Sequence, residues 1–132
     1  MKIGEVAKEA GLGVHAVRFY EREGLIPEPR RQPSGYRDYS PEAIPRLRFI
    51  RHAKELGFSL SKIQDLLALE AGGRAPASEV KRVAESTLKD LESRIAAMQR
   101  MRRELKKVVE GCAGKGSVKD CSILRALNQN RG

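Results

Sequence analysis

The sequence contains no tryptophan, and aromatic residues make up only 5% of its 132 residues. A chain so poor in large rings cannot fill a thick globular core, so we expect long, solvated helices. No apolar run approaches the roughly 18–20 residues that span a bilayer, and the first five residues lack the apolar segment of a secretion signal. We therefore expect a cytoplasmic protein without a membrane partner, whose thiols stay reduced.

Patterns typical of catalysis are also missing. The sequence has no nucleophile beside a base, no glycine-rich phosphate motif and no paired carboxylates in an apolar setting, so we predict that it is not an enzyme. What is abundant is positive charge, because 26 Lys and Arg residues against 17 Asp and Glu give a net charge of +9. Such an excess favours an anionic partner, and nucleic acid is the usual one.

The first forty residues contain two short helical patterns followed by a turn-rich segment. Apolar residues recur at steps of three and four over 3–10 and again from residue 14, and a Gly-Leu-Gly break separates the two runs. This pattern predicts a helix-turn-helix at about 4–23. Residues 28–39 contain a Ser-Gly turn between extended-looking residues, which indicates a small hairpin, or wing.

Two further helices are predicted after the wing. Ser40 followed by proline is a good helix start, so we expect a helix over 41–55. A second helix is expected over about 60–70, which would complete a DNA-binding domain at 1–70. The Gly- and Ala-rich segment 71–76 has the composition of a linker.

The rest of the chain is dominated by one long helical pattern over 77–111, free of proline and of glycine until its last residue. At about 1.5 Å per residue this helix is roughly 50 Å long. No other part of the chain is long enough to cover its narrow apolar stripe, so we expect a homodimer in which a second copy supplies the partner helix. A loop at 112–121 and a short C-terminal helix with a tail at 122–132 follow.

Five segments and the cysteine-containing tail carry a specific combination of residues. The segments are Ile3-Gly4-Glu5-Val6-Ala7, Val17-Arg18-Phe19-Tyr20-Glu21-Arg22-Glu23-Gly24-Leu25, Gly35-Tyr36-Arg37-Asp38-Tyr39, Arg48-Phe49-Ile50-Arg51 and Leu56-Gly57-Phe58-Ser59-Leu60. Together they resemble the MerR family of transcriptional regulators over nearly the whole chain. The tail, Cys121-Ser122-Ile123-Leu124, resembles the metal-sensing branch of that family, and the chain is most similar to its copper-efflux type.

The resemblance implies an all-α fold with a small wing hairpin. It implies a winged helix-turn-helix domain, a dimer through antiparallel long helices that form a coiled coil, and a metal-binding loop beside the partner chain. It further implies a regulator that stays on double-stranded promoter DNA and distorts it when the effector binds. RNA polymerase, an indirect partner, can then engage, and genes of metal efflux or resistance are controlled.

The candidate DNA contacts lie on the second helix and on the wing. His15, Arg18 and Tyr20 are candidates on the helix. The wing carries Tyr36, Arg37 and Tyr39. Arginine can pair with guanine edges or clamp phosphate, and tyrosine can donate to phosphate. The alternative interpretation is that the arginines are ordinary solvated charges and the tyrosines belong to the edge of the core.

Cys112 and Cys121 are the only cysteines, and they frame the loop that follows the long helix. Three interpretations are open: two surface thiols of no consequence, a redox switch that forms a disulfide, and a metal site, which we favour. A metal-buffering or chaperone protein is a different class of function. It would carry the thiols without a DNA reader, so the helix-turn-helix argues against it.

The identity of the metal depends on which ligands are missing. Residues 77–132 contain no histidine and no further cysteine, whereas tetrahedral zinc takes four N or S ligands, or three plus water. The resemblance implies that divalent sensors use an additional thiol at the position of Ala77, and that zinc sensors use ligands at the positions of Ala113 and Ser117. Two soft thiolates alone suit Cu(I), Ag(I) or Au(I). Eight residues separate the cysteines, a spacing that resembles the mercury sensors, so Hg(II), Cd(II), Pb(II) and Zn(II) are the alternatives.

Overall fold

The computed structural model describes residues 1–129, and its chain divides into two compact units, Met1–Thr87 and the part from Leu88 onward. The elements follow one another as α1 (Ile3–Ala10), α2 (Val14–Arg22), β1 (Arg30–Arg31), β2 (Arg37–Asp38), α3 (Ala43–Glu55), α4 (Leu60–Gly72), α5 (Ala77–Glu110), a 3-10 turn (Val118–Asp120) and α6 (Ser122–Gln129). The expected helical fold with a small two-stranded wing is confirmed. No helix within residues 1–129 is long and apolar enough to cross a bilayer.

A tight glycine turn joins α1 to α2. Gly11 has a left-handed backbone with φ of 71°, and its N–H donates to the last carbonyl groups of α1. Leu12 adds a 2.9 Å bond from its N–H to the carbonyl of Ala7. A side chain is excluded at Gly11, because a Cβ there would lie 1.9 Å from Nη1 of Arg51. Gly13, by contrast, has ordinary extended backbone angles and open space around it.

The core of the first unit forms where α1, α2, α3 and α4 meet. Its most buried side chains are Val6, Val17, Tyr39, Leu47, Ile50 and Ile63. Arginines of α3 add polar ties around this core. Arg48 donates from Nε and Nη2 to the Glu9 carbonyl at 3.1 and 2.9 Å, and Arg46 donates to the Leu25 carbonyl at 3.3 Å. These bonds satisfy carbonyl groups that the ends of α1 and α2 leave free, and so fix the helix-turn-helix against α3.

Two helix boundaries differ from the prediction. α3 begins at Ala43 rather than at residue 41, because the Ser40 hydroxyl accepts from the N–H of Glu42 at 3.3 Å and holds a preceding turn. Pro45 therefore lies in the first turn of the helix, where its missing N–H leaves no bond unmade. At the other end of the domain, α4 continues to Gly72 because the left-handed cap is Gly73, with φ of 63°.

In the second unit, α5 carries a row of large apolar side chains that nothing in this unit covers. Their exposed fractions lie between 52% and 64%, and they are Leu88, Ile95, Met98, Met101, Leu105 and Val109. The expected long helix ends at Glu110, one residue before the predicted end. α6 follows the expected short helix, and residues 130–132 of the predicted tail lie outside the described residues.

Candidate functional site: a basic cavity and a two-cysteine loop

A cavity of about 1090 Å³ lies between the start of α1, α2 and the wing. Five basic side chains line it: Lys2, Arg18, Arg22, Arg31 and Arg37. Three acidic side chains also line it: Glu5, Glu21 and Glu28. The local excess of positive charge and the helix that borders the cavity suit a polyanion such as nucleic acid.

The exposed face of α2 carries two of the predicted DNA contacts. His15 and Arg18 are both exposed, and Arg18 lines the cavity. The spacing of three residues places them on the same helix face, and Arg22, four residues further on, extends that face. Arg22 was not among the predicted contacts, although this spacing identifies it.

The wing presents the other exposed candidates. Tyr36, near its turn, is 65% exposed, and the ammonium of Lys2 lies 5.7 Å from the centre of its ring. Arg37 is exposed and stands directly opposite Arg31 in the register of the two strands. Like charges opposite one another destabilise a ribbon, so this pair is better suited to an anion than to an unliganded surface. Sequence reasoning missed Lys2 and Arg31 because their proximity depends on the strand register.

Tyr20 and Tyr39 do not lie on the exposed face. They are only 7% and 1% exposed and belong to the core of the first unit. Burial raises the pKa of Tyr20, and it also raises the pKa of Tyr39 although the nearby Arg37 acts in the opposite direction. The expected outward position of these two rings is thus corrected, because Tyr20 follows Val17 at helical spacing on the buried face.

The two-cysteine loop joins the end of α5 to α6 through several short hydrogen bonds. Ser122 donates from its hydroxyl to the carbonyl of Gly111 at 3.0 Å, which ties together the two residues next to the cysteines. The N–H of Cys112 donates to Val109 at 3.1 Å, and that of Cys121 donates to Val118 at 3.3 Å. Each cysteine is therefore held by its backbone at one end of the loop.

The two thiols face each other. Both are free and half-buried. The pKa of Cys121 is lowered chiefly by the backbone N–H of Leu124, and further by that of Ile123, by the side chain of Cys112 and by the charge of Arg125. Hydrogen bonds to the ionised form favour the thiolate, which is the form that binds metal.

No group of three or more His, Cys, Asp or Glu side chains capable of holding a metal occurs within residues 1–129. Ala77 is the first residue of α5, and the Ser117 hydroxyl accepts from the N–H of Lys119 at 3.3 Å. The donor set in this loop is thus two sulfurs. Two thiolates fit a soft d10 ion better than they fit an ion that needs four ligands.

A winged helix-turn-helix with a basic cavity, followed by a long helix with an open apolar stripe, defines a DNA-binding regulatory protein. Two family models match the chain: MerR HTH family regulatory protein over residues 1–70, and MerR, DNA binding, over residues 44–108. The chain belongs to the MerR family of transcriptional regulators. This family consists of DNA-binding regulators and not of enzymes, so the expectation that the chain is not an enzyme is confirmed.

Several known proteins are similar over almost the full chain. The HTH-type transcriptional regulator HmrR of Sinorhizobium medicae strain WSM419 is 41% identical over 132 residues, which is 100% of this chain and 89% of that protein. Heavy metal-dependent transcription regulator 2 of Rhizobium meliloti strain 1021 is 40% identical over 127 residues, with 96% and 86% covered. The crystal structure of the regulator PbrR691 from Ralstonia metallidurans CH34 with lead(II) superposes with a TM-score of 0.83 at 32% identity, over 96% of this chain and 98% of that one.

Proposed function

We propose that this protein is a metal-responsive regulator of genes for metal efflux or resistance. It binds promoter DNA as a homodimer and changes the shape of that DNA when Cu(I), Ag(I) or Au(I) binds to Cys112 and Cys121. The similarity to a heavy metal-dependent regulator and to a regulator solved with lead(II) supports a metal as the effector. The two-sulfur donor set of the loop supports the choice of a monovalent ion.

In this proposal the basic cavity is the DNA interface. Arg18 and His15 on α2 approach the groove, and Tyr36 and Arg37 on the wing approach the phosphate backbone. Lys2 joins them from the start of the chain, since it lines the same cavity. The buried tyrosines, by contrast, support the interface from behind.

The apolar stripe of α5 supports the homodimer. Exposed apolar rows of this length on a soluble helix are typical of helix–helix contacts. A second copy of the chain offers a stripe of the same length and spacing. The predicted domain limits at 77–111 and 112–121 then correspond to a dimerisation helix and a metal-binding loop.

The observation that carries the choice of metal is the pair of facing thiols without a third donor group in the described chain. A soft ion would be held by the sulfur of Cys112 and the sulfur of Cys121, and it would supply positive charge to the loop. Lys115 and Lys119, on the same loop, favour the ionised form of the thiols in its absence.

A metal titration of the DNA-bound dimer tests the proposal. The promoter upstream of the protein's own gene is transcribed with purified RNA polymerase in buffered Cu(I), Ag(I), Hg(II), Cd(II) and Zn(II). We expect Cu(I) and Ag(I) to activate at the lowest free concentrations. Cys112→Ser and Cys121→Ser are each expected to abolish activation without loss of DNA binding, because a hydroxyl is a poor ligand for a soft ion. Equal responses to Zn(II) and Cu(I) would contradict the monovalent assignment, and a preference for Hg(II) would establish the alternative.

Footprinting on the same promoter tests the mode of action. If metal selects a deformed DNA shape, the protein stays bound with and without metal, and cleavage changes at the centre of the site. Dissociation on addition of metal would instead identify a simple derepressor.

A further inference from the structure

Glu21 lies between α2 and the wing. Its side chain is only 11% exposed, although it lines the basic cavity. One carboxylate oxygen, Oε2, accepts from Nη1 of Arg37 at 2.8 Å and from the hydroxyl of Tyr39 at 3.2 Å. Both partners come from the wing or its end, 16 and 18 residues further along the chain.

The wing needs support from outside itself. Its two strands have only two residues each, and both are exposed. A two-stranded ribbon of this kind is marginally stable in water. Tyr39 anchors its end in the core, where the tyrosine N–H donates to the carbonyl of Met1 at 2.8 Å. Among residues 1–129, the side-chain hydrogen bonds between α2 and the wing are those of Glu21.

The position of Glu21 is costly for a surface that binds a polyanion. A carboxylate in such a cavity repels phosphate. The same carboxylate offsets the charge of Arg37, which would otherwise stand against Arg31 across the ribbon. It also restricts the Arg37 guanidinium to one orientation, which reduces the side-chain entropy that Arg37 loses on binding.

We infer that Glu21 is a positioning residue, which holds Arg37 and the wing against the recognition helix α2 in the orientation that DNA binding requires. The inference rests on the proposed use of the basic cavity for DNA. It assigns to an acidic residue a favourable role in binding an acid, and this makes its sign testable.

The test measures the affinity for a duplex of the protein's own promoter at fixed salt, by fluorescence anisotropy. Glu21→Gln keeps the size of the side chain and removes its charge, whereas Glu21→Asp keeps the charge and shortens the reach. We expect each to weaken binding about tenfold, the size of coupling seen between contacting residues. If Glu21 acts only as a repulsive charge, Glu21→Gln strengthens binding and Glu21→Asp leaves it unchanged. Glu28→Gln is the matched control, because Glu28 is exposed and lines the same cavity, and it should not weaken binding.

Two further readouts separate positioning from a general loss of stability. In an Arg37→Gln background, Glu21→Gln should cost less than about threefold, because its main partner is already gone. Hydroxyl-radical footprints of Glu21→Gln should lose protection at the flanks that the wing covers and keep it where α2 binds. A full tenfold loss in the Arg37→Gln background, or a uniform loss of protection, would overturn the inference.

The wild-type protein provides the remaining distinction. Failure of the wild type to bind the duplex would reject the proposed DNA interface itself. Wild-type binding together with equal or tighter binding by Glu21→Gln would reject only the role of Glu21. Thermal unfolding of each variant is recorded alongside. If Glu21→Gln does not fold, the comparison of Glu21→Asp with wild type decides the question.

Discussion

A single charge in the middle of the α5 apolar stripe should separate the proposed dimer. Met98 is 64% exposed in the single chain, with Ile95 and Met101 one turn away on either side. Met98→Glu places a carboxylate at the centre of the surface that a second copy would cover. Ala96→Glu is the matched control, because Ala96 is exposed on the same helix and two positions in a helix are about 200° apart.

The magnitude follows from the exposure of this side chain. Burying a whole methionine side chain stabilises by about 1.5–3 kcal/mol, so the exposed part of Met98 contributes about 1 kcal/mol in each protomer. An uncompensated buried charge adds a cost of about 3–5 kcal/mol. The sum exceeds about 4 kcal/mol, which corresponds to at least a roughly thousandfold weaker dimer.

Sedimentation velocity over a range of protein concentrations measures this change. Wild type and Ala96→Glu are expected to sediment as dimers, and Met98→Glu as a monomer at micromolar concentration. DNA affinity should fall with the dimer, because the two half-sites are then bound independently. A Met98→Glu protein that remains dimeric at the wild-type concentration would refute the assignment of this stripe as the dimer contact.

Three shorter predictions follow from other parts of the structure. Arg18→Ala should weaken promoter binding by about 1–3 kcal/mol at matched salt if the guanidinium makes a bidentate contact; unchanged affinity would exclude Arg18 from the interface. Gly11→Ala should lower the free energy of unfolding by about 1–2 kcal/mol because of its left-handed backbone, whereas Gly13→Ala should change it by less than about 0.5 kcal/mol; urea unfolding at one protein concentration compares them, and equal stabilities would contradict the role of Gly11. In a Cys112→Ser background, iodoacetamide should modify Cys121 with a pH midpoint below that of the same protein in urea, because folding lowers the pKa of this thiol; coinciding midpoints would show that the helix N–H groups do not reach the sulfur.

The sequence alone predicted the order and type of the helices, because each has a clear periodic pattern and a glycine or proline near its ends. The start of α3 was missed by two residues, since Ser40 can either cap a helix or hold a turn and the choice depends on its hydroxyl. The end of α4 depended on which of several neighbouring small residues adopts a left-handed backbone, and this was Gly73.

The candidate site was predicted in part. Exposed residues such as Arg18 and Tyr36 were found from their type and position. The burial of Tyr39 was missed, because one residue after a two-residue strand shows no periodicity. The contact of Glu21 with Arg37 joins two elements that are 16 residues apart, and only the folded chain brings them together.

The sulfur of Cys121 serves a second purpose within its own helix. The Cys121 carbonyl accepts from the N–H of Arg125 at 3.1 Å, and its side chain accepts from the N–H groups of Ile123 and Leu124, so this residue is the N-cap of α6. An effector that draws on the sulfur lone pairs therefore competes with the first turn of the helix, and occupancy and helix order become linked quantities. Serine is a good N-cap and alanine is a poor one. Cys121→Ser thus removes the soft donor and keeps the cap, whereas Cys121→Ala removes both, and the difference between the two variants measures what the cap contributes.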